Sequence, residues 1–383
     1  MASSMHFLFF SSLLISISLS TPQILNGHDA IVLPILKDSR TLQYVTHAYQ
    51  GTPAIPKKLV IDLGGQYIWI DRGSGDVSST YRPAQCRSIQ CSTANANNCG
   101  TSFTSHKAEF EKINTCGLLV KNGITGMIMN VELGEDIITV QSTTSPAFRS
   151  MASIDNFLFS RAPPFLLQGL ASGAKGVLGL GMSRISLPSQ VAGVFSINRK
   201  FTICLPSSSK SKGVIFFDTS GPYIRSNDVM RKTKTLSLST TLSEISKSLI
   251  YTPLIANPMK KGTASTQDHF NEYYIGVKSI SIHGKPLLLQ TLLLSINNDG
   301  TGGAKLSTII PYTTLETSIY NTFTKGFMEV AASLFNMTRV ASVAPFEVCF
   351  NSENIVNTRS GPIVPTIELV LQKQSGEVED IWG

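Results

Sequence analysis

The chain has 383 residues, 42% of them hydrophobic and 15% charged, which excludes a disordered protein and exceeds what one ordinary core organises, so two lobes are expected. Thirty-two Lys and Arg against 25 Asp and Glu give a net charge of +7 and a pI near 9.0. That balance admits acidic partners, but there is no Lys/Arg stripe and no aromatic RNA-reading motif, so nucleic acid is not expected among them.

The N-terminus, MASSMHFLFFSSLLISISLSTPQ, is apolar from Phe7 to Leu19 with interleaved serines. It is too short and serine-rich to span a membrane, and Ser18 and Ser20 are small enough to precede a cleavage site, although no Lys or Arg leads the run. Residues 1–20 therefore read as a signal peptide, and because they carry no charged side chain the mature chain keeps +7. No later segment reaches the ~20 apolar residues of a membrane helix. A secreted protein with no membrane partner is expected.

Gly51-Thr52-Pro53 is followed by KLVIDLGGQYIWID, two apolar strand-like runs around a glycine turn. Asp62 lies inside the first run, and a charge there is costly unless it is paired or hydrogen-bonded. Two aspartates, one from each of two lobes, would make such a position productive. Carboxyl groups ~3 Å apart cannot both ionise, so one serves as acid and the other as base on a shared water.

Four cysteines follow closely: Cys86, Cys91 and Cys99 in CRSIQCSTANANNC, and Cys116 in NTCG. With no CxxC pair and a solitary His106 nearby, they read as two local disulfides of open connectivity rather than a metal site. Cys204 and Cys349 complete the disulfide candidates. The six histidines are scattered without metal spacing, and no cofactor is expected.

The runs MIMNVEL, IITVQS, VIFFD and YYIGVKSISIHG, broken by Gly, Pro, Ser and Asn, continue an all-β pattern. A helix is expected in RISLPSQVAGVF, where Pro188 suits a first turn. Between about Pro206 and Ser248 the chain is rich in Ser, Thr and Lys, which places the lobe boundary there. A second helix is expected from Thr313, with Thr313 and Glu316 as a capping box and Leu315, Ile319, Phe323, Phe327 and Ala331 as its apolar stripe. Asn336-Met-Thr338 is a glycosylation sequon. GLGMSR and GTGGAK are incomplete as phosphate-binding loops and open no βαβ unit, no Gly-x-Ser-x-Gly elbow occurs, and Lys260-Lys261 reads as a solvated loop.

Asp62-Leu63-Gly64-Gly65 resembles the first active-site turn of pepsin-like aspartic proteases, Asp-Thr/Ser-Gly-Ser/Thr. KGVLGLGMSRISLPSQ resembles that family's Gly-hydrophobic-Leu-Gly-Leu-Gly turn and its helix, and YTPL with EYYIGVKSISIHGKPL resembles the start of the second lobe in plant members. In GTGGAKLSTIIPYTTLETSIY the second active-site turn should appear, but Ser307 stands where the second Asp would be and Ile309 where the family has glycine. Leu63 replaces the hydroxyl residue of the first turn, and the flap stretch GLLVKNGITGMIMNVELGED has no tyrosine. A hydroxyl cannot share a low-pKa proton with Asp62, so Asp62 and Gly64 read as vestiges of a site with no catalytic residue set intact, Asp62 being held by the N–H groups of its own turn.

KLSTIIPYTTLETSIY, CRSIQCSTA, NTCG and GPIVPTIELVLQ resemble a narrower, non-proteolytic plant branch: basic 7S globulins, extracellular dermal glycoproteins, and inhibitors of xylanase and endoglucanase. The resemblance implies a mostly β, bilobal pepsin-like double β-barrel with few short helices. It implies an N-terminal lobe over 24–225 and a C-terminal lobe over 245–383, of the two xylanase-inhibitor types, and secretion to the extracellular space. Its implied partners are a glycoside hydrolase or a peptide ligand. The cysteine-rich insert has fewer cysteines than the branch, and the sequence given stops at Gly383 soon after IELVLQ, so an incomplete second lobe, a partial gene product and lost partners for Cys204 and Cys349 are expected. The leading functional expectation is an inactive inhibitor of cell-wall hydrolases in plant defence. The alternatives are a storage or peptide-binding globulin, and an aspartic endopeptidase that works with Asp62 alone or with an acid supplied from elsewhere such as Asp71 or Asp299.

Overall fold

The structure, a computed structural model of the chain, describes residues 30–73, 77–96, 98–99, 114–145, 148–217, 251–257, 272–353, 355–358, 361–373 and 380–382. The expected signal peptide, His106, Lys260-Lys261 and most of the expected lobe boundary lie outside these residues.

The first lobe is one twelve-stranded sheet. Its strands are β1 (Ala30–Lys37), β2 (Tyr44–Gln50), β3 (Ile55–Asp62), β4 (Trp69–Asp71), β5 (Arg82–Pro83), β6 (Asn98–Cys99), β7 (Cys116–Lys121), β8 (Ile128–Ser145), β9 (Phe148–Ala162), β10 (Gly176–Gly179), β11 (Phe201–Cys204) and β12 (Gly213–Phe217). Helix α1 (Ile89–Thr93) precedes β6, and α2 (Leu187–Phe195) follows β10 with Pro188 in its first turn. Successive residues of a strand face opposite sides, and this sheet is covered on both. Ile31, Leu33, Ile35, Leu59 and Ile61 pack on one side with Leu187, Val191 and Phe195 of α2, while Val45, Val60, Trp69 and Val177 pack on the other. That two-sided burial is why the run before Asp62 is apolar at every position instead of alternating.

MIMNVEL and IITVQS, separate runs in the sequence, are one long strand, β8. Its polar interruption survives because Asp136, 2% exposed and beside a register shift, accepts hydrogen bonds from Thr80 Oγ1 (2.6 Å), Ser78 Oγ (3.1 Å) and Gln50 Nε2 (3.1 Å).

The second lobe is built of smaller pieces. Strands β13 (Leu254–Ile255), β14 (Tyr273–Ile275) and β17 (Ala304–Leu306) make one sheet. Strands β15 (Val277–Ile282), β16 (Lys285–Pro286), β22 (Ile367–Leu371) and β23 (Asp380–Trp382) make another. Two small ladders add β18 (Arg339–Val340) with β19 (Cys349–Phe350), and β20 (Asn357–Thr358) with β21 (Gly361–Pro362). Helix α3 (Thr317–Phe335) buries Ile319, Val330 and Ala331.

The expected start of the second helix is corrected, and the open disulfide pairing resolves into two local bridges, with Cys204 and Cys349 unpaired as their expected loss of partners implies. Helix α3 begins at Thr317, not Thr313: Glu316 is itself the N-cap, its carboxylate accepting from the N–H groups of Ser318 (2.8 Å) and Ile319 (3.1 Å). Of the six disulfide candidates, Cys86 pairs with Cys99 and Cys91 with Cys116, whereas Cys204 on β11 and Cys349 on β19 are free thiols in different sheets.

Candidate functional site at the seam between the lobes

Asp62 ends β3 in parallel register with Gly179 of β10. The chain turns at once: the Gly64 N–H donates to Asp62 Oδ1 (3.1 Å) and the Gly65 N–H to the Asp62 carbonyl (3.2 Å). Space favours glycine at 65, since a Cβ there would lie tightly at 3.2 Å from Asp62 Cγ and 3.0 Å from Gly179 Cα.

The second lobe reaches this turn with residues 307–309. Thr308, 4% exposed, accepts from the Leu63 N–H (2.9 Å) and donates to the Ile61 carbonyl (2.8 Å), so one hydroxyl clasps the backbone on both sides of Asp62. Ser307 is exposed, and its hydroxyl makes no hydrogen bond among the described residues. Ile309, 7% exposed, packs into a cluster made otherwise of first-lobe residues, and a Cβ on Gly123 would lie 3.1 Å from its Cγ1. Tyr273 adds a further cross-lobe contact by donating to the Leu180 carbonyl (2.8 Å) and packing edge-on to Phe201.

Gly123 belongs to the β7–β8 hairpin, whose tip is tied down. The fully buried Asn122 donates to the carbonyls of Leu166 (2.7 Å) and Gln168 (2.8 Å) and accepts from the N–H groups of Ile124 (2.7 Å) and Thr125 (3.1 Å). Tyr67, on the strand side of the Asp62 turn, donates its hydroxyl to the Leu119 carbonyl of the same hairpin. A hairpin, a buried isoleucine and a threonine clasp therefore close over the Asp62 turn.

Sequence reasoning left Asp62 without an acidic neighbour, and the structure corrects this: Glu272 lies beside it. A Cβ on Gly64 would meet Glu272 Cγ at 3.0 Å. Glu272 Oε1 sits 2.5 Å from Lys305 Nζ, and Oε2 accepts from the Tyr274 hydroxyl (3.0 Å). No hydrogen bond joins the carboxyl groups of Asp62 and Glu272 among the described residues. Asp62 retains some exposure as a residue, but its carboxyl group is enclosed, and burial pushes its pKa up to about 6. The Gly64 N–H opposes that rise, the negative Glu272 adds to it, and the Gly65 N–H and Lys305 pull it down. The other acids weighed as partners are engaged elsewhere: Asp71 lies 3.5 Å from Lys175 Nζ, and Asp299 accepts from the Thr301 N–H (3.0 Å) and hydroxyl (2.7 Å).

Thr308, Glu272, Lys305 and Asn122 carry the geometry of this seam; each lies in a stretch with family resemblance, yet none was singled out there for a role. Thr308 alone had a signal, a hydroxyl residue one place after Ser307. Elsewhere, a cavity of about 510 Å³ in the second lobe is lined by Ile255, Val277, Leu292, Leu294 and Gln372 among others, and it includes no residue of the seam.

Residues 44–218 match the family described as xylanase inhibitor N-terminal, and residues 272–382 match xylanase inhibitor C-terminal. The chain belongs to this xylanase-inhibitor family. Among its relatives, the protein named probable aspartic proteinase GIP2 of Nicotiana benthamiana is 48% identical over 90% of this chain and 75% of its own length. The basic 7S globulin of Glycine max is 33% identical over 92% of this chain and 76% of its own. The crystal structure of edgp superposes with a TM-score of 0.81 at 44% identity, covering 94% of this chain and 83% of that one. The soybean basic 7S globulin structure gives 0.70 at 32% identity, covering 91% and 80%. The fold is accordingly the mostly β, bilobal pepsin-like one, in an aspartic-protease-like group that includes globulins and conglutins.

Proposed function

We propose that this chain is a secreted, non-hydrolysing member of its family that inhibits a cell-wall-degrading glycoside hydrolase, xylanase or endoglucanase, as part of plant defence. The observation that supports this reading is the seam. Peptide hydrolysis on this scaffold uses two carboxyl groups facing each other across the lobes. We read Ser307 as the residue in the second position, beside a Thr308 whose hydroxyl is already engaged twice and an Ile309 that occupies first-lobe core. Glu272 does not replace the missing acid on this reading, because Lys305 and Tyr274 hold its carboxylate. The lobes are proposed to divide as 24–225 and 245–383.

Two assays test the reading. Purified xylanase and endoglucanase should each be titrated with the chain, and loss of activity in at least one is the expected result. A peptidase assay at acidic pH should find no turnover; pepstatin-sensitive turnover abolished by Asp62→Asn would establish the endopeptidase alternative instead. The relatives named globulin and conglutin favour a second reading, storage or peptide binding, which gains if a hydrolase binds without losing activity. Secretion has its own check at Asn336. This exposed residue caps the C-terminus of α3 at φ 51°, its backbone N–H donating to the Ala331 carbonyl, and its side-chain amide makes no hydrogen bond among the described residues, leaving it open to a glycan. Peptide-N-glycosidase treatment of protein purified from plant tissue should lower its mass, and Asn336→Gln should remove that shift.

A further inference from the structure

We propose that Asp62, Glu272 and Lys305 form a proton-controlled latch between the two lobes: the seam is tight while Asp62 is protonated and loosens when it ionises. The inference stands apart from the question of hydrolase inhibition.

Its basis is the way the elements meet. Glu272 and Tyr274, two residues apart on or beside β14, share a face, and Lys305 is the register partner of Tyr274 on β17. That face presents an ion pair to the Asp62 turn, with Glu272 Cγ directly over Gly64, whose N–H holds Asp62 Oδ1. Among the described residues, the other surfaces around Asp62 offer no formal charge. β10 and the residue after it bring Gly179 and Leu180, residues 308–309 bring a hydroxyl and an isoleucine, and Lys57 and Lys58 lie further back along β3. Arg199 acts on Tyr273. Ionised Asp62 thus faces a carboxylate and an ammonium in an enclosed space: burial and the Glu272 carboxylate oppose its charge, while the N–H groups of Gly64 and Gly65 and the Lys305 ammonium favour it.

The latch acts where the lobes are joined, since the Leu63 N–H next to Asp62 is the donor that Thr308 accepts. Ionisation brings a second negative charge up against Glu272 beside that clasp, one carboxylate on each lobe. Enclosure of the carboxyl group shifts the transition from the ordinary aspartate range toward pH 6.

The test uses the full chain and measures its melting temperature against pH from 4 to 8. A rise on acidification centred near pH 6 is expected in the wild type, and the difference curve against Asp62→Asn should contain all of it. Glu272→Gln removes the like charge and should move the centre to lower pH, whereas Lys305→Met removes the favourable charge and should move it to higher pH by a smaller amount. Hydrogen exchange of peptides covering 59–68 and 304–310, corrected for intrinsic rates, should lose protection above pH 6 in the wild type more than in Asp62→Asn. A pH step that persists in Asp62→Asn, charge variants that leave the centre unmoved or shift it the same way, or exchange that changes elsewhere but not at these peptides, overturns the proposal. If Asp62→Asn does not fold, the opposite shifts of the two charge variants decide alone.

Discussion

The two lobes share a fold but not a way of holding it. Among the described residues the first lobe has two buried clusters of twenty-two and twenty-one residues on the two faces of one sheet, while the second has a single cluster of six. One member of the second first-lobe cluster, Ile309, is supplied by the second lobe. The second lobe also exposes large apolar side chains, among them Leu288 at 95% and Leu292 at 80%. The first lobe supplies nearly all of its own apolar burial, and the described part of the second leans on it through Thr308, Ile309 and Tyr273.

Substitutions can break that contrast. Phe159→Ala, at a fully buried first-lobe position, should cost ~3–5 kcal/mol, whereas Leu294→Ala in the small cluster should cost ~2 kcal/mol, measured by denaturant unfolding. If the two losses are equal, the second lobe is as well packed as the first. The next effect is proton-linked. A folded-state pKa near 6 for Asp62, above its ordinary 3.8, gives a contribution fully present below pH 3.8 and lost as pH rises through about 6. It is on the order of 3 kcal/mol. Unfolding of the wild type and Asp62→Asn at pH 4 and pH 7 should show it. Thr308→Val keeps the shape but leaves the Ile61 carbonyl and Leu63 N–H unpaired, for a loss of ~2 kcal/mol. Limited proteolysis should show the second lobe cut first in that variant, because it depends on the seam. The smallest effect is expected at Lys285 and Glu329, 3.8 Å apart with both side chains more than half exposed. Lys285→Ala should change stability by less than ~0.5 kcal/mol.

Much of this architecture is readable from local pattern. The strands around Asp62, the helix with Pro188 in its first turn and the four clustered cysteines are each specified by residues within a few positions of one another. The misplaced start of α3 was also a local decision, between two capping choices that share Glu316. The later one prevails where Thr308 and Ile309 are pinned to the first lobe and Tyr312 packs on Phe346, leaving 313–315 to bridge to the helix. Glu272 is a different case. It lies 210 residues after Asp62, and nothing in the period or chemistry of either segment ties the two together. Their meeting is set by how one sheet edge docks on a turn, which is tertiary information. Asn122 was hidden for a similar reason: an asparagine in a Gly-containing turn is ordinary in sequence, and only the placement of residues 164–168 shows that its amide is fully used.

That asparagine has a consequence for anything seeking entry. A rod-shaped peptide approaching Asp62 from outside would have to raise the hairpin tip, and raising it separates the Asn122 amide from the Leu166 and Gln168 carbonyls in one movement. The same lift would pull Gly123 from Ile309 and expose that isoleucine to water. Opening this cover therefore costs buried hydrogen bonds and apolar burial together.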